Sequence, residues 1–488
     1  MEFSKSEELV FAQPYITHGA RAPTSLYDKG EDRLKEKWPG RGEISGVGQR
    51  MEYILGLRNR QRYITNKYKF LSQKYDPHEL LIYSTDKNRT ILSMASQLQG
   101  LYPMSPEIGE KLTPEQIKMA LPQIDVSSFE EIQQEIENLN DSALPYYMTV
   151  IPIHVISTYE KKILNFENSD CSSNVKKLKQ KNVQEKETIK KLTENFNLKF
   201  ASKMNKFFNN SDNYDFDLIS SICDVAIVDT VDGRNLSHFF EVTQINKKEF
   251  LDDCDVICTI NCRDELYGDE KNEMILLEAS TILRDMVSNI KRRVDADINN
   301  EKTEDNVSDY SKPKMVMILG HDDSISSQVL FIIKYFGLSL DIYKLPNFAS
   351  QMAVEVTRNK KNDGNEKLKY SDYRVCYYFD DELYINVTLN SFIETVEKNI
   401  WTKKQIDNFC QEDDGDHGSD DGKDDDKSET VDLNSKLNTY KYIVICFGIL
   451  IIILCIVIVI LIIKLKKKND GLNEEDTEDK RILNNDDD

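Results

Sequence analysis

Three short runs constrain the fold of this chain more than anything else in it. They are Leu9-Val10-Phe11-Ala12, Glu79-Leu80-Leu81-Ile82-Tyr83-Ser84 and Lys314-Met315-Val316-Met317-Ile318-Leu319. Each has an apolar centre, ends in a polar cluster and leads to a helical pattern. After the first, Ser45 is placed to cap a helix whose stripe is Val47, Met51, Ile54 and Leu55 and which runs to about Tyr63. Met94, Leu98 and Leu101 mark the helix after the second run, and Val329, Leu330 and Ile333 the helix after the third. Strands without polar alternation are buried on both faces, and their regular exchange with helices is the signature of a parallel sheet. Met352–Val356, Tyr373–Tyr378 and Leu383–Val387 follow at hairpin-like spacing and predict further strands on the sheet's edge.

Between the second and third runs the pattern is mainly helical. Leu112 to about Asn140 reads as helical and acidic, and Leu218 to about Ile290 as mostly helical. Lys176–Lys206 is lysine-rich, with Leu178, Ile189, Leu192, Phe196 and Phe200 at helical spacing. Interleaved acids make it a solvated amphipathic region rather than a nucleic-acid patch. Met148–Val155 reads as a strand or extended run, in which His154 is expected to be packed and hydrogen-bonded rather than catalytic. Asp295–Ser311 is polar and predicts a loop. The fold class is therefore α/β: a mixed central sheet flanked by helices, with an inserted α-helical cap over roughly 110–295, and one C-terminal transmembrane helix.

The transmembrane element is Ile443–Ile463, an uninterrupted apolar run long enough for one span of about twenty residues. Lys464, Lys466, Lys467 and Lys468 follow it. The positive-inside rule places the tail, 464–488, in the cytoplasm and the large N-terminal part outside or in a lumen, with the lipid bilayer as a partner. That orientation calls for a secretory signal, and Met1–Glu8 is charged without an apolar core. Either the true start lies upstream, or the chain is tail-anchored with its large part in the cytosol. The first is preferred, because a strand begins so near residue 1 and because of the cysteines and glycosylation sequons. Sequons occur at Asn88, Asn140, Asn209, Asn235, Asn306 and Asn386. The net charge of −21 argues against a nucleic-acid partner. Much of it lies between Glu412 and Asp432, which makes 411–440 a self-repelling acidic linker. A homodimer is one option that the sequence leaves open.

Seven cysteines lie outside the apolar run: Cys171, Cys223, Cys254, Cys258, Cys262, Cys376 and Cys410. Cys254, Cys258 and Cys262 recur every four residues and would share a helix face. With no CxxC pair and no clustered histidines, disulfides in a secretory lumen are preferred to a metal site. No metal and no other cofactor is assigned.

The polar clusters at the three strand ends carry the chemistry. The first is Thr17-His18-Gly19-Ala20-Arg21-Ala22-Pro23, the second Ser84-Thr85-Asp86-Lys87-Asn88-Arg89-Thr90, and the third Gly320-His321-Asp322. A neutral imidazole, His18, can attack phosphorus. Guanidinium groups from Arg21 and Arg89, with His321, can hold the equatorial oxygens. Asp322 can protonate the leaving alkoxide and then deprotonate water.

In this order the segments resemble the histidine acid phosphatases of the branched-histidine superfamily, and most of all its membrane-anchored lysosomal or prostatic-type members. That family opens with Arg-His-Gly-x-Arg-x-Pro, matched here from Thr17 to Pro23. Its Gly-x-Leu-Thr-x-x-Gly segment is Gly42–Gly48 here, its Ser-Thr-Asp-x-x-Arg-Thr segment is Ser84–Thr90, and its His-Asp pair is His321-Asp322. Ile151-Pro152-Ile153-His154 resembles the family's entry into its cap. The resemblance covers about 8–400. It implies a phosphomonoester substrate, a phosphohistidine intermediate on His18, phosphate binding by Arg21, Arg89 and His321, and proton donation by Asp322. By position it also implies pairing of Cys171 with Cys410, and of Cys223 with Cys254, Cys258 or Cys262. The tail's Glu478–Leu483 faintly resembles an endolysosomal dileucine signal, which fits a lysosomal, endosomal or cell-surface site. One departure stands out: Thr17 occupies the place of the family's first arginine. Losing a preorganised oxyanion-binding group costs a rate factor of about 10²–10³. Reduced activity, a membrane-bound pseudophosphatase that binds phosphorylated ligands, and an inositol-phosphate phosphatase with a strongly basic pocket all remain as readings.

Overall fold

The computed structural model describes residues 7–411, apart from 25–37, 39, 125–128, 156–182, 209–212, 235, 268–272, 300–311 and 360–367. The apolar run 443–463, the acidic linker and the tail lie outside the described residues, as does Cys171. Among the described residues, no helix is long and apolar enough to cross a membrane.

In chain order the main elements begin with β1 (Glu7–Thr17), α1 (Gly46–Arg60) and a π-helical turn, Gln61–Thr65. β2 (Leu80–Ser84) and α2 (Asn88–Leu101) follow, then α3 (Pro114–Met119), α4 (Glu130–Leu139) and β3 (His154–Val155). The inserted region carries α5 (Val183–Phe196), α6 (Ser202–Phe208), α7 (Phe216–Val231), α8 (Ser237–Thr243), α9 (Lys247–Tyr267) and α10 (Glu273–Ile298). The chain then returns through β4 (Met315–Gly320) and α11 (Asp322–Tyr335), and continues with β5 (Gln351–Asn359), β6 (Tyr373–Phe379) and β7 (Glu382–Thr388). Two helices, α12 (Leu389–Asn399) and α13 (Lys403–Gln411), complete the described chain.

The seven strands form one mixed sheet in the order β3-β2-β4-β1-β5-β6-β7. β1, β2, β3 and β4 are parallel, and β5, β6 and β7 continue the sheet antiparallel. β4 inserts between β2 and β1, although the whole helical insertion precedes it in the chain. Its register brings Thr17 opposite Gly320 and Ser84 opposite Leu319. The carboxyl ends of β1, β2 and β4 are therefore level, which is where a crevice forms in an α/β sheet.

β1 is buried along almost its whole length, as its lack of polar alternation requires. A bulge between Leu9 and Phe11 lets Val10, Phe11 and Tyr15 join the core under α10, α11 and α12, while Leu9, Ala12 and Ile16 join the opposite core under α1 and α2. The inserted helices have their own core, in which Phe196, Phe200, Met204, Phe239 and Phe250 pack together. Cys223 of α7 is disulfide-bonded to Cys254 of α9 inside it. Cys410 is also disulfide-bonded.

Several expectations need correction. α10 continues to Ile298, so the segment predicted as a loop begins as helix. Its buried Val294 and Ala296 pay for the polar composition there. The extended run Met148–Val155 yields only the two-residue edge strand β3. His154 on it is exposed, with its ring centroid 5.9 Å from that of Tyr83, instead of packed in the interior. Within Leu112–Asn140, read as helical, the helices α3 and α4 have no buried residue. β5 and β6 are interior strands, and only β7 forms the antiparallel edge.

Candidate active site

The first turn of the site is held by close backbone packing. A Cβ on Gly19 would lie 2.4 Å from the Gly48 carbonyl oxygen, and one on Gly48 would lie 2.1 Å from that of Ala20. Both positions must be glycine for the strand end to sit against the start of α1. Ser45 caps that helix by accepting from Gly48 N–H, and its own N–H donates to Ala20 O at 2.9 Å. Ser93 of α2 accepts from Gly19 N–H at 3.0 Å.

His18, just past β1, is buried. Its Nδ1 lies 3.0 Å from Gly19 O. A carbonyl oxygen only accepts, so Nδ1 carries the proton and Nε2 carries the lone pair. Burial first, then the charges of Arg21 and Arg89, lower its pKa from 6.5 to about 3. The ring is thus neutral throughout the mildly acidic range.

His321 follows β4 as the N-cap of α11 and is also buried, its ring centroid 5.7 Å from that of His18. Arg89 Nη2 donates to its Nδ1 at 3.3 Å. Its Nε2 therefore bears the proton and donates to Thr85 Oγ1 at 3.2 Å. Thr85 Oγ1 lies 2.8 Å from Thr90 Oγ1, whose hydroxyl donates to the carbonyls of Thr85 and Lys87. Donation thus runs in one direction, from His321 through Thr85 to Thr90. Burial, followed by the charges of Arg89 and His18, lowers the His321 pKa. Asp322, the first residue of α11, is exposed, and its charge acts on both Arg89 and His321.

Arg21 and Arg89 each leave Nε buried with no hydrogen-bond partner. Buried donors of this kind are uncommon and demand an acceptor. The five residues expected from the sequence therefore lie around one locus: two imidazoles, two guanidiniums with open donors, and a solvent-facing carboxylate.

Thr17 is not among the open donors. Its hydroxyl donates to Asn347 O at 2.6 Å and accepts from Ser350 N–H at 2.9 Å. It clips the loop between α11 and β5, and that loop places Phe348 with its ring centroid 5.9 Å from His18 and 5.7 Å from the Arg21 guanidinium carbon. Sequence reasoning missed Thr85 and Thr90 as partners, although both stand in the quoted second segment. It also missed Phe348 and Asp224, which no local pattern marks. Asp224 comes from α7 and pairs with Arg21.

A mixed sheet whose level parallel strand ends present two buried imidazoles and unsatisfied guanidinium donors is an α/β scaffold with donors of the kind that suit a small anion. Residues 8–377 match the model of the histidine phosphatase superfamily (branch 2), and the chain belongs to that superfamily and is a phosphatase by family. It is 22% identical over 360 residues to the prostatic acid phosphatase of Mus musculus, covering 73% of this chain and 77% of that protein. It is 33% identical over 175 residues to the lysosomal acid phosphatase of Xenopus laevis, covering 36% of this chain and 32% of that relative's length. Among solved structures, the Hafnia alvei phytase in complex with tartrate aligns with a TM-score of 0.51 at 12% identity, covering 84% of this chain and 100% of that one. At that identity the likeness concerns the fold alone.

Proposed function

We propose that this protein is an acid phosphatase that hydrolyses phosphomonoesters through a phosphohistidine intermediate on His18. The observation that carries the reading is the tautomer of His18. Its Nδ1–H is fixed on Gly19 O, so the lone pair of Nε2 is committed to the site, and the depressed pKa keeps that lone pair available in acid. Nε2 attacks phosphorus, and the ester oxygen leaves with a proton from Asp322. Asp322, now a carboxylate, takes a proton from water as that water attacks the phosphohistidine. This returns inorganic phosphate and neutral His18. Arg21 Nε and Arg89 Nε supply donors to the equatorial oxygens. His321 donates from Nδ1 once a phosphate oxygen replaces it as the acceptor facing Arg89. The ring does this in its other neutral tautomer, with the Thr85 hydroxyl then donating to Nε2.

Reduced turnover follows from Thr17, whose hydroxyl is fully engaged with the Asn347–Ser350 loop. The engaged Arg21 and the missing arginine make the pocket only modestly basic, which favours simple monoesters over inositol polyphosphates. The lysosomal and prostatic acid phosphatase relatives support a lysosomal or secretory compartment. The apolar run 443–463 supports a single-pass type I anchor there. The test is hydrolysis of an aryl phosphate between about pH 4 and 7, with rapid alkaline quenching to trap a phosphoenzyme that is stable in alkali and labile in acid. Turnover and label are expected in the native protein and absent in His18→Ala. Ligand binding without turnover in the native protein would establish the pseudophosphatase reading instead.

A further inference from the structure

The guanidinium of Arg21 has five N–H donors in a fixed plane. Nη1 donates to Ala22 O at 3.1 Å and to Asp224 Oδ2 at 3.4 Å. Nη2 donates to Asp224 Oδ1 at 3.2 Å. The carboxylate therefore faces the end of the group, where Nη1 and Nη2 lie side by side. Three of the five donors are used. The two that remain, Nε–H and the second Nη2–H, are parallel and lie on the adjacent edge. Nε is buried and has no partner. Two parallel donors on one edge are the arrangement that binds a phosphate bidentately. Phe348 faces the same guanidinium, so its rotation is limited from a further side.

We infer that Asp224 is a positioning residue for Arg21: by occupying the end of the guanidinium it turns the Nε–Nη2 edge toward the substrate phosphate, and so makes the helical insertion part of the phosphate site. This rests on the reading of Arg21 as a phosphate ligand. The surroundings of Asp224 suit the role. It lies on α7, in the turn that carries Cys223, and the Cys223–Cys254 disulfide ties that turn to α9. Its side chain is a quarter exposed and that of Arg21 only 13%, so the pair closes over the nucleophile turn from the cap side. The role is also the one that the missing arginine makes most useful. With Thr17 turned to its loop, Arg21 and Arg89 are the guanidiniums placed at the locus among the described residues, and the aim of each one counts for more.

The test is a double-mutant cycle on the full chain with an aryl phosphate as substrate and inorganic phosphate as competitive inhibitor. Arg21→Ala alone is expected to cost roughly a hundredfold in kcat/KM. Asp224→Ala is expected to lower kcat/KM roughly tenfold, the scale of losing a supporting contact to a binding group, and to weaken inhibition by phosphate. In the Arg21→Ala background the same change is expected to alter kcat/KM by less than about twofold, because its effect travels through Arg21. Asp224→Asn keeps the volume and one acceptor, and should retain activity between that of the native protein and Asp224→Ala. It keeps the cycle readable if the alanine variant folds poorly. A full tenfold loss in both backgrounds would overturn the inference by showing a purely structural role. Tighter phosphate inhibition in Asp224→Ala would overturn it by making Asp224 a competitor of substrate. A silent Asp224→Ala beside a damaging Arg21→Ala would remove the inference and leave the phosphate role of Arg21 standing. A silent Arg21→Ala would remove both.

Discussion

Keeping His18 neutral in acid has a thermodynamic cost that can be measured apart from activity. Its pKa is about 3 in the folded protein against an ordinary 6.5. Between those values the unfolded chain binds a proton there that the folded chain does not. Stability therefore falls as pH falls from 6.5 toward 3, and the loss from this group is complete only below the folded value. From about pH 7.5 to about pH 5 the titration covers about 1.5 pH units, which at about 1.4 kcal/mol per unit is about 2 kcal/mol. His321 is depressed in the same direction and adds to the slope. In His18→Gln, which cannot titrate, this contribution disappears and other groups remain common to both proteins. Urea denaturation, followed by fluorescence at the two pH values, should show the native protein losing about 2 kcal/mol more than the variant on acidification. Equal losses in the two proteins would refute the depressed pKa, and with it the availability of the His18 lone pair in acid.

Other outcomes follow from the same contacts. Thr85→Val strands the Nε2–H of His321 in a buried site, and should cost about 1–3 kcal/mol of stability. It should also lower kcat/KM about tenfold, with Thr85→Ser restoring most of both in the same assays. Gly19→Ala drives a Cβ to 2.4 Å from the Gly48 oxygen. It should abolish aryl phosphatase activity and lower the urea midpoint, because backbone on both sides cannot yield. Thr17→Arg should fail to raise kcat/KM, because it breaks the clip to Asn347 and Ser350 at a cost of about 1–3 kcal/mol. A gain in rate with unchanged stability would show that the loop does not need the hydroxyl.

Residue patterns along the chain reach local structure. Apolar strand runs, the Ser45 cap and helix periodicity specify their elements within a few residues, because backbone pairing and one-sided burial act over short stretches. The same runs marked where His18, Arg89 and His321 would lie, since the two histidines stand directly after a strand, Arg89 lies in the first turn of the helix that follows one, and parallel strand ends open into a crevice. Asp322 and Arg21 came with their neighbours. Local pattern failed where burial came from elsewhere. Asp295–Ile298 looks like loop and is helix because Val294 and Ala296 are packed from outside it. His154 looks interior and stands on an exposed two-residue edge.

Tertiary structure alone decided what each side chain does. Thr17 could have faced the site, yet a loop more than three hundred residues away takes both its donor and its acceptor. The tautomer of His321 follows from Arg89 and the Thr85–Thr90 hydroxyls on a different strand and helix. Arg21 is aimed by Asp224, 203 positions later in the chain. Hydrogen bonds depend on distances of a few tenths of an ångström and on direction, and chain order carries neither once a long insertion separates the partners.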